Sequence, residues 1–294
     1  MTNNLIKLSA GALEMELNPS VGGSISAFRW KRDGANFPIL HTRTTDDPSV
    51  LGMANFPLVP FVNRVRDGTF TFRGREVKLQ ANMKGDISPL HGTGWLAPWF
   101  VESASEQAAV LNYQHEAGEW PWAFFSRQVV QLDEGGFNYK LTCRNTSPDP
   151  MPCGLGIHPY FPCGSETRID TQVSDVWTID ENVLPVEKIP ATGRFALGER
   201  LICAQDLDHG FGGWGGRALI SDPSWPFTTA FSSGDAKFFQ LYSPPSGKLF
   251  AAEPVTHANA AMNQPEEEWA ELGFRVLEPG EEMALNVRFD VTPV

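Results

Sequence analysis

Three side chains far apart in the sequence are of the types that move protons. Glu253 lies in Leu249-Phe-Ala-Ala-Glu-Pro-Val-Thr256, an apolar stretch that reads as a buried strand delivering one carboxylate into a pocket. An acid in such a setting is costly unless it is paired or functional. Burial also lifts a carboxyl toward the range useful to a base. His91 stands in His91-Gly-Thr-Gly-Trp95 and His158 in Gly156-Ile-His-Pro-Tyr-Phe161. Glycines after His91 let the backbone turn tightly, whereas Pro159 pushes His158 toward an extended conformation. Imidazole titrates at about 6.5, so both rings can give or accept a proton. Taken singly, either ring also suits a core position with its nitrogens satisfied. Together, one carboxylate and two imidazoles are the minimum for moving protons on and off a sugar.

Other residues could hold such a substrate. Asn63-Arg64 precedes the turn at Asp67-Gly68 and offers amide and guanidinium donors suited to hydroxyl or carboxylate oxygens. Arg64 could equally anchor its own loop through carbonyls. Asp208, in Asp208-His-Gly210, can accept bonds from hydroxyls or cap a turn. The glycine-rich run after it, from Gly210 to Gly216, lacks the lysine and hydroxyl of a phosphate loop. Among the 9 tryptophans, Trp95, Trp99, Trp120 and Trp122 cluster. Indoles stack on sugar C–H faces and carry a polar N–H, and they also fill large cores.

The elements that must position these groups read as strands. Thr69–Phe72 and 76–79, joined by Arg73-Gly-Arg75, form a hairpin with Phe70, Phe72, Val77 and Leu79 on one side. Segments 126–132 and 137–143, joined by Asp133-Glu-Gly-Gly136, form another. Segment 284–291 alternates, with Leu285, Val287, Phe289 and Val291 inward, after a turn at Glu278-Pro-Gly-Glu281. Helical periodicity is almost absent; residues 266–272 could make a turn or two. Many short strands and frequent turns predict an all-β fold, a sandwich or a barrel. No linker interrupts the pattern, so a single domain over residues 1–294 is expected.

Bulk composition excludes several classes. The net charge of −12 disfavours nucleic acid as a partner. No apolar run is long enough to cross a bilayer. The first residues lack the basic patch and apolar core of a signal peptide, which makes a cytoplasmic protein the expectation. Cys143, Cys153, Cys163 and Cys203 form no Cys-x-x-Cys pair, and Cys153 and Cys163 flank His158 without zinc-site spacing. Buried, reduced thiols and no metal are expected. The acidic run Glu266–Glu268 reads as a solvated loop.

The succession Asn63-Arg64, His91-Gly-Thr-Gly-Trp95, His158-Pro-Tyr-Phe161, Asp208-His209 and a late-strand Glu253 resembles the aldose 1-epimerase (galactose mutarotase) family over nearly the whole chain. The resemblance implies a large antiparallel β-supersandwich and the interconversion of α and β anomers, with no metal or organic cofactor. It implies Glu253 as general base on the anomeric hydroxyl and His158 as general acid on the ring oxygen, with His91 beside it. Arg64 and Asp208 would grip ring hydroxyls, Asn63 would support Arg64, and Trp95 would line the site. The implied partner is a small-molecule sugar, bound by a monomer or a homodimer. The chain departs from familiar galactose mutarotases in carrying Gly154-Leu-Gly-Ile157 before His158 and Pro254-Val255 after Glu253. It is closer to a divergent bacterial branch acting on varied aldoses, the sulfonated sugar sulfoquinovose among them. Two other readings stay open from residues alone: a sugar-binding module without catalysis, and a glycoside hydrolase using Asp208 and Glu253 as paired carboxylates.

Overall fold

Period-two alternation runs through most of the chain, and the structure turns it into antiparallel sheets. The computed structural model describes residues 5–41 and 49–294. The larger sheet has nine strands. Its centre is Glu282–Pro293, flanked by Phe227–Ser232 on one side and Gly136–Asn145 on the other. Beyond Gly136–Asn145 come Phe124–Asp133, Ala108–His115 and the edge strand Phe100–Ala104. A second sheet has eight strands, with Leu207–Gly212, Phe238–Ser243 and Leu249–Val255 adjacent to one another. The short strands Gly156–Ile157 and Tyr160–Pro162 both pair with Leu249–Val255. A separate four-stranded sheet spans Ile6–Ala10 to Ala35–Leu40.

The two large sheets face each other, as a sandwich requires. Phe231 of the larger sheet packs its ring 5.9 Å from Phe161 and 6.3 Å from Phe239 of the smaller one. Within the larger sheet Phe137 stacks on Phe289 at 4.4 Å. Leu285, Val287, Phe289 and Val291 are all buried, and Phe70, Phe72 and Val77 share the same core with partly buried Leu79. The two hairpins expected over 69–79 and 126–143 are present, and the alternating segment 284–291 lies in the strand Glu282–Pro293. Residues 266–272 contain only a single 3₁₀ turn, Glu266–Glu268, continued by further turns. No helix among the described residues is long and apolar enough to cross a membrane.

Alternation in the smaller sheet divides its side chains between core and cavity. Phe239, Leu241, Phe250 and Ala252 point into the core between the sheets. Their neighbours Gln240, Tyr242, Leu249 and Glu253 line a cavity on the opposite face.

The structure corrects the expectation that all four cysteines are reduced. Cys163 and Cys203 form a disulfide with Cα atoms 5.5 Å apart, across 40 residues of sequence. Arg168–Thr171 pairs with Arg200–Leu201, and this brings together the two segments that carry them. Residue spacing gives no sign of that juxtaposition. Cys143 and Cys153 are buried free thiols, as expected.

Candidate active site

Glu253 reaches the cavity because it shares parity with Leu249 on the strand Leu249–Val255. Gln240 stands opposite it in register, and Asp208 stands opposite Tyr242 one strand further on. These strands form the floor of a cavity of about 520 Å³, within the range that holds small molecules. Segments 56–64 and 83–95 form its other walls.

His158 comes from the short stretch between two strands. Its N–H donates to Phe56 O at 3.0 Å. The ring lies between Phe56, stacked at 4.6 Å, and Tyr160, tilted at 4.5 Å. Its Nε2 is 3.2 Å from Glu253 Oε1. Burial sets the electrostatics of this pair. It pushes His158 down to about 3. The Glu253 carboxyl is driven well above the usual range, first by burial and then by the charge of Asp208, with Arg64 opposing. His158 Nδ1 and Glu253 Oε2 have no hydrogen-bond partner among the described residues. Such orphaned buried atoms are uncommon in folded proteins and mark a place where a ligand atom would be welcome.

His91 is held by its own backbone turn. It adopts a left-handed conformation, φ 60°, as does Asn63 at φ 57°. The two residues bond reciprocally: His91 N–H donates to Asn63 O, and Asn63 N–H donates to His91 Nδ1, both at 3.0 Å. An amide donor at Nδ1 leaves the neutral ring with its proton on Nε2. Burial and the neighbouring His158 keep His91 well below its ordinary value, so it stays neutral. Gly92 is required here, because a Cβ on it would stand 2.3 Å from Val59 O. Left-handed conformations at non-glycine residues persist only where surroundings enforce them, often at functional sites.

The structure brings the three expected proton-movers together. Donor atoms of His91, His158 and Glu253 all lie within 4.8 Å of one another. Two imidazoles and a carboxylate so arranged are also a donor set a divalent cation could use. His91 would contribute only Nε2 to it, since Nδ1 is taken.

The expected substrate-holding residues line the same cavity. Arg64 donates from Nε to Asp86 Oδ2 at 2.8 Å and from Nη1 to Asn63 Oδ1 at 3.2 Å. These two bonds orient the guanidinium while its Nη2 remains for a ligand. Asp208 accepts from Gln240 Nε2 at 2.8 Å. Burial raises its carboxyl to about 6 against the partial opposition of Arg64. Trp95 lines the wall, stacked on Phe56 at 5.6 Å. Its N–H is committed to Leu90 O and Gly92 O, at 3.0 and 3.2 Å, so the ring offers the cavity apolar surface. Trp99, Trp120 and Trp122 belong to the main core.

Sequence reasoning missed several residues of this site. Asp86 orients Arg64 and also accepts the N–H of Ser88 at 2.9 Å, an Asx turn legible as Asp-Ile-Ser. Gln240 carries no local signal, since its place opposite Glu253 comes only from strand register. His257 is structural: its Nε2 accepts Val62 N–H at 2.9 Å and its Nδ1 pairs with Ala258 O at 2.8 Å. That bond fixes the segment leading to Asn63 and Arg64.

Comparison with known proteins gives the family and the fold. A family model described as aldose 1-epimerase matches residues 4–290. The chain is 33% identical over 271 residues to YphB, an uncharacterized protein of Escherichia coli K12, covering 88% of this chain and 90% of that one. A solved structure from E. coli K12, described as a candidate aldose 1-epimerase, superposes with a TM-score of 0.88 at 28% identity, covering 99% of each chain. A galactose mutarotase-like protein of Clostridium acetobutylicum shares the fold, with a TM-score of 0.85 at 20% identity over 98% of this chain and 95% of that one.

Proposed function

The chain belongs to the aldose 1-epimerase family, and from that membership we propose that it interconverts the α and β anomers of a free aldose. The observation that carries this reading is the meeting of Glu253, His158 and His91 within 4.8 Å, beside hydroxyl-binding groups in one cavity. In the proposed reaction the Glu253 carboxylate takes the hydrogen of O1 while His158 gives a proton to O5. The C1–O5 bond breaks, and the open aldehyde rotates about C1–C2. The same two groups then run the steps backward on the other face of C1. His91, a neutral donor through Nε2, holds a substrate oxygen nearby.

The close approach of Glu253 and His158 supports this cycle. A carboxylic acid beside a neutral imidazole and a carboxylate beside an imidazolium contain the same number of protons. Burial favours the first form in the ligand-free cavity. Sugar hydroxyls and Arg64, placed against the carboxylate, favour the second. When sugar binds, the proton can therefore pass from Glu253 to His158 across a contact of 3.2 Å, giving the carboxylate–imidazolium pair the reaction starts from, and each ring closure regenerates that pair.

Charge within the cavity favours a neutral aldose over an anionic one such as sulfoquinovose. Arg64 is matched by Asp86, Asp208 and Glu253 are further acids, and Lys248 stands exposed at the rim. The decisive experiment dissolves a pure anomer and tracks its equilibration by polarimetry or NMR with and without protein, over neutral and anionic aldoses. Faster equilibration, strongest for neutral sugars, is expected. A protein inert toward the whole panel would falsify the reading.

A further inference from the structure

The loop 244–248 forms part of the cavity wall through Pro244, Ser246, Gly247 and Lys248. It is clasped from behind by the Cys163–Cys203 disulfide. Cys163 donates its N–H to Lys248 O at 2.9 Å. Cys203 Sγ lies 3.3 Å from Gly247 O. At the start of the loop, Ser243 Oγ donates to Ile202 O at 2.5 Å and accepts the N–H of Gln205 at 3.0 Å. The segment bearing Cys203 is also strained, with Ala204 at φ 55° and Asp206 at φ 54°. Left-handed backbone at alanine is disfavoured and holds only under external constraint. Both bridged cysteines are half-buried, so a small reductant can reach them.

We propose that the Cys163–Cys203 bridge is a redox-modifiable clasp, and that its opening by a dithiol loosens loop 244–248 and weakens sugar binding. A thiolate of the dithiol attacks one sulfur of the bridge, which breaks the S–S bond and forms a mixed disulfide. The second thiol of the reductant then displaces the remaining protein sulfur. Two electrons and two protons pass to Cys163 and Cys203, and the reductant leaves as its own disulfide. Ala204 and Asp206 can then relax from their left-handed conformations, and the loop loses a covalent anchor. The loosening stands on the fold alone, whereas its effect on affinity rests on the proposed anomer exchange.

The test compares the full chain in its air-oxidised form with the same protein reduced by dithiothreitol. Peptide mapping should find the Cys163–Cys203 bridge in the oxidised form. Thiol titration should find two fast-reacting thiols after reduction, because Cys143 and Cys153 are buried. Tryptic cleavage after Lys248, monitored by mass spectrometry, should be roughly tenfold faster or more in the reduced form, as local opening allows. KM for a turned-over aldose should rise roughly threefold or more with kcat unchanged, the mark of lost uniform binding. Cys203→Ser should match the reduced protein in both measurements and ignore dithiothreitol. An oxidised protein without the bridge, or equal cleavage in the two states, overturns the proposal even if no aldose is turned over. Faster cleavage with an unchanged KM overturns its coupling to the cavity.

Discussion

Glu253 and His158 approach each other to 3.2 Å with both side chains buried, and burial decides the resting charge of both. Glu253→Gln keeps the shape of the side chain and removes its proton chemistry. Anomer exchange should fall by roughly 10²–10⁴-fold, the usual contribution of one acid or base. Its unfolding midpoint, read by thermal denaturation, should hold or rise, because an amide carries no ionisation cost there. Asp208 predicts a pH dependence. Its folded carboxyl sits at about 6 against an ordinary 3.8, so kcat/KM should decline as pH falls through about 6 and the hydroxyl acceptor becomes protonated. Asp208→Asn should remove that acid limb from the pH–rate profile. For stability the sign is opposite: the folded carboxyl holds its proton more tightly than the unfolded one. This group's contribution to stability is therefore fully present below about 3.8, declines as pH rises toward about 6, and is flat beyond. Denaturant melts of wild type and Asp208→Asn across that window check it. The settings of Glu253, His158 and His91 were legible in the sequence because each breaks a local pattern: an acid in an apolar strand, or a histidine beside Gly or Pro. Asn63, Arg64 and Asp208 sit at turns, and only the family resemblance assigned them to the site. Asp86 and His257 break no such pattern, and only the folded chain reveals that they reach Arg64 and Val62.

At the scale of single elements, strand parity is what turns Glu253 toward the cavity. The buried strand was readable from its apolar run, but its parity was not, because Leu249, Phe250, Ala251 and Ala252 are all apolar. The partner of the strand was not readable, so Gln240 and the register that sets it opposite Glu253 emerged only with the fold. The same holds for Cys163 and Cys203, which a pairing between distant short strands brings within bonding range. Gly154 illustrates how an element supports the site from outside. A Cβ there would lie 2.0 Å from His257 Cδ2. Gly154→Ala should displace that ring, release Val62 N–H from its acceptor, and let Asn63 and Arg64 drift. A loss of roughly 1–3 kcal/mol is expected for the unsatisfied buried donor. Urea denaturation measures that loss, and KM should rise in the same variant. A variant as stable and as tight-binding as the wild type would contradict the supporting role given to His257.

For the molecule as a whole, composition and alternation pointed to an all-β architecture, but the order of the strands in each sheet lay beyond them. Pattern tells which side of a strand is apolar and is silent on its neighbours. The core between the sheets should carry stability without touching chemistry. Phe289 is fully buried against Phe137 and Phe231. Phe289→Ala should cost about 3–5 kcal/mol, read as a lower denaturation midpoint, while KM well below that midpoint stays as in wild type. The place of Glu282–Pro293 between Phe227–Ser232 and Gly136–Asn145 has a bearing on biosynthesis. While residues 282–293 are still inside the ribosome, the nascent polypeptide presents two raw β-edges to its surroundings and no means of joining them. Such edges invite pairing between chains, so this protein should depend on chaperones until residues 282–293 have emerged and joined them.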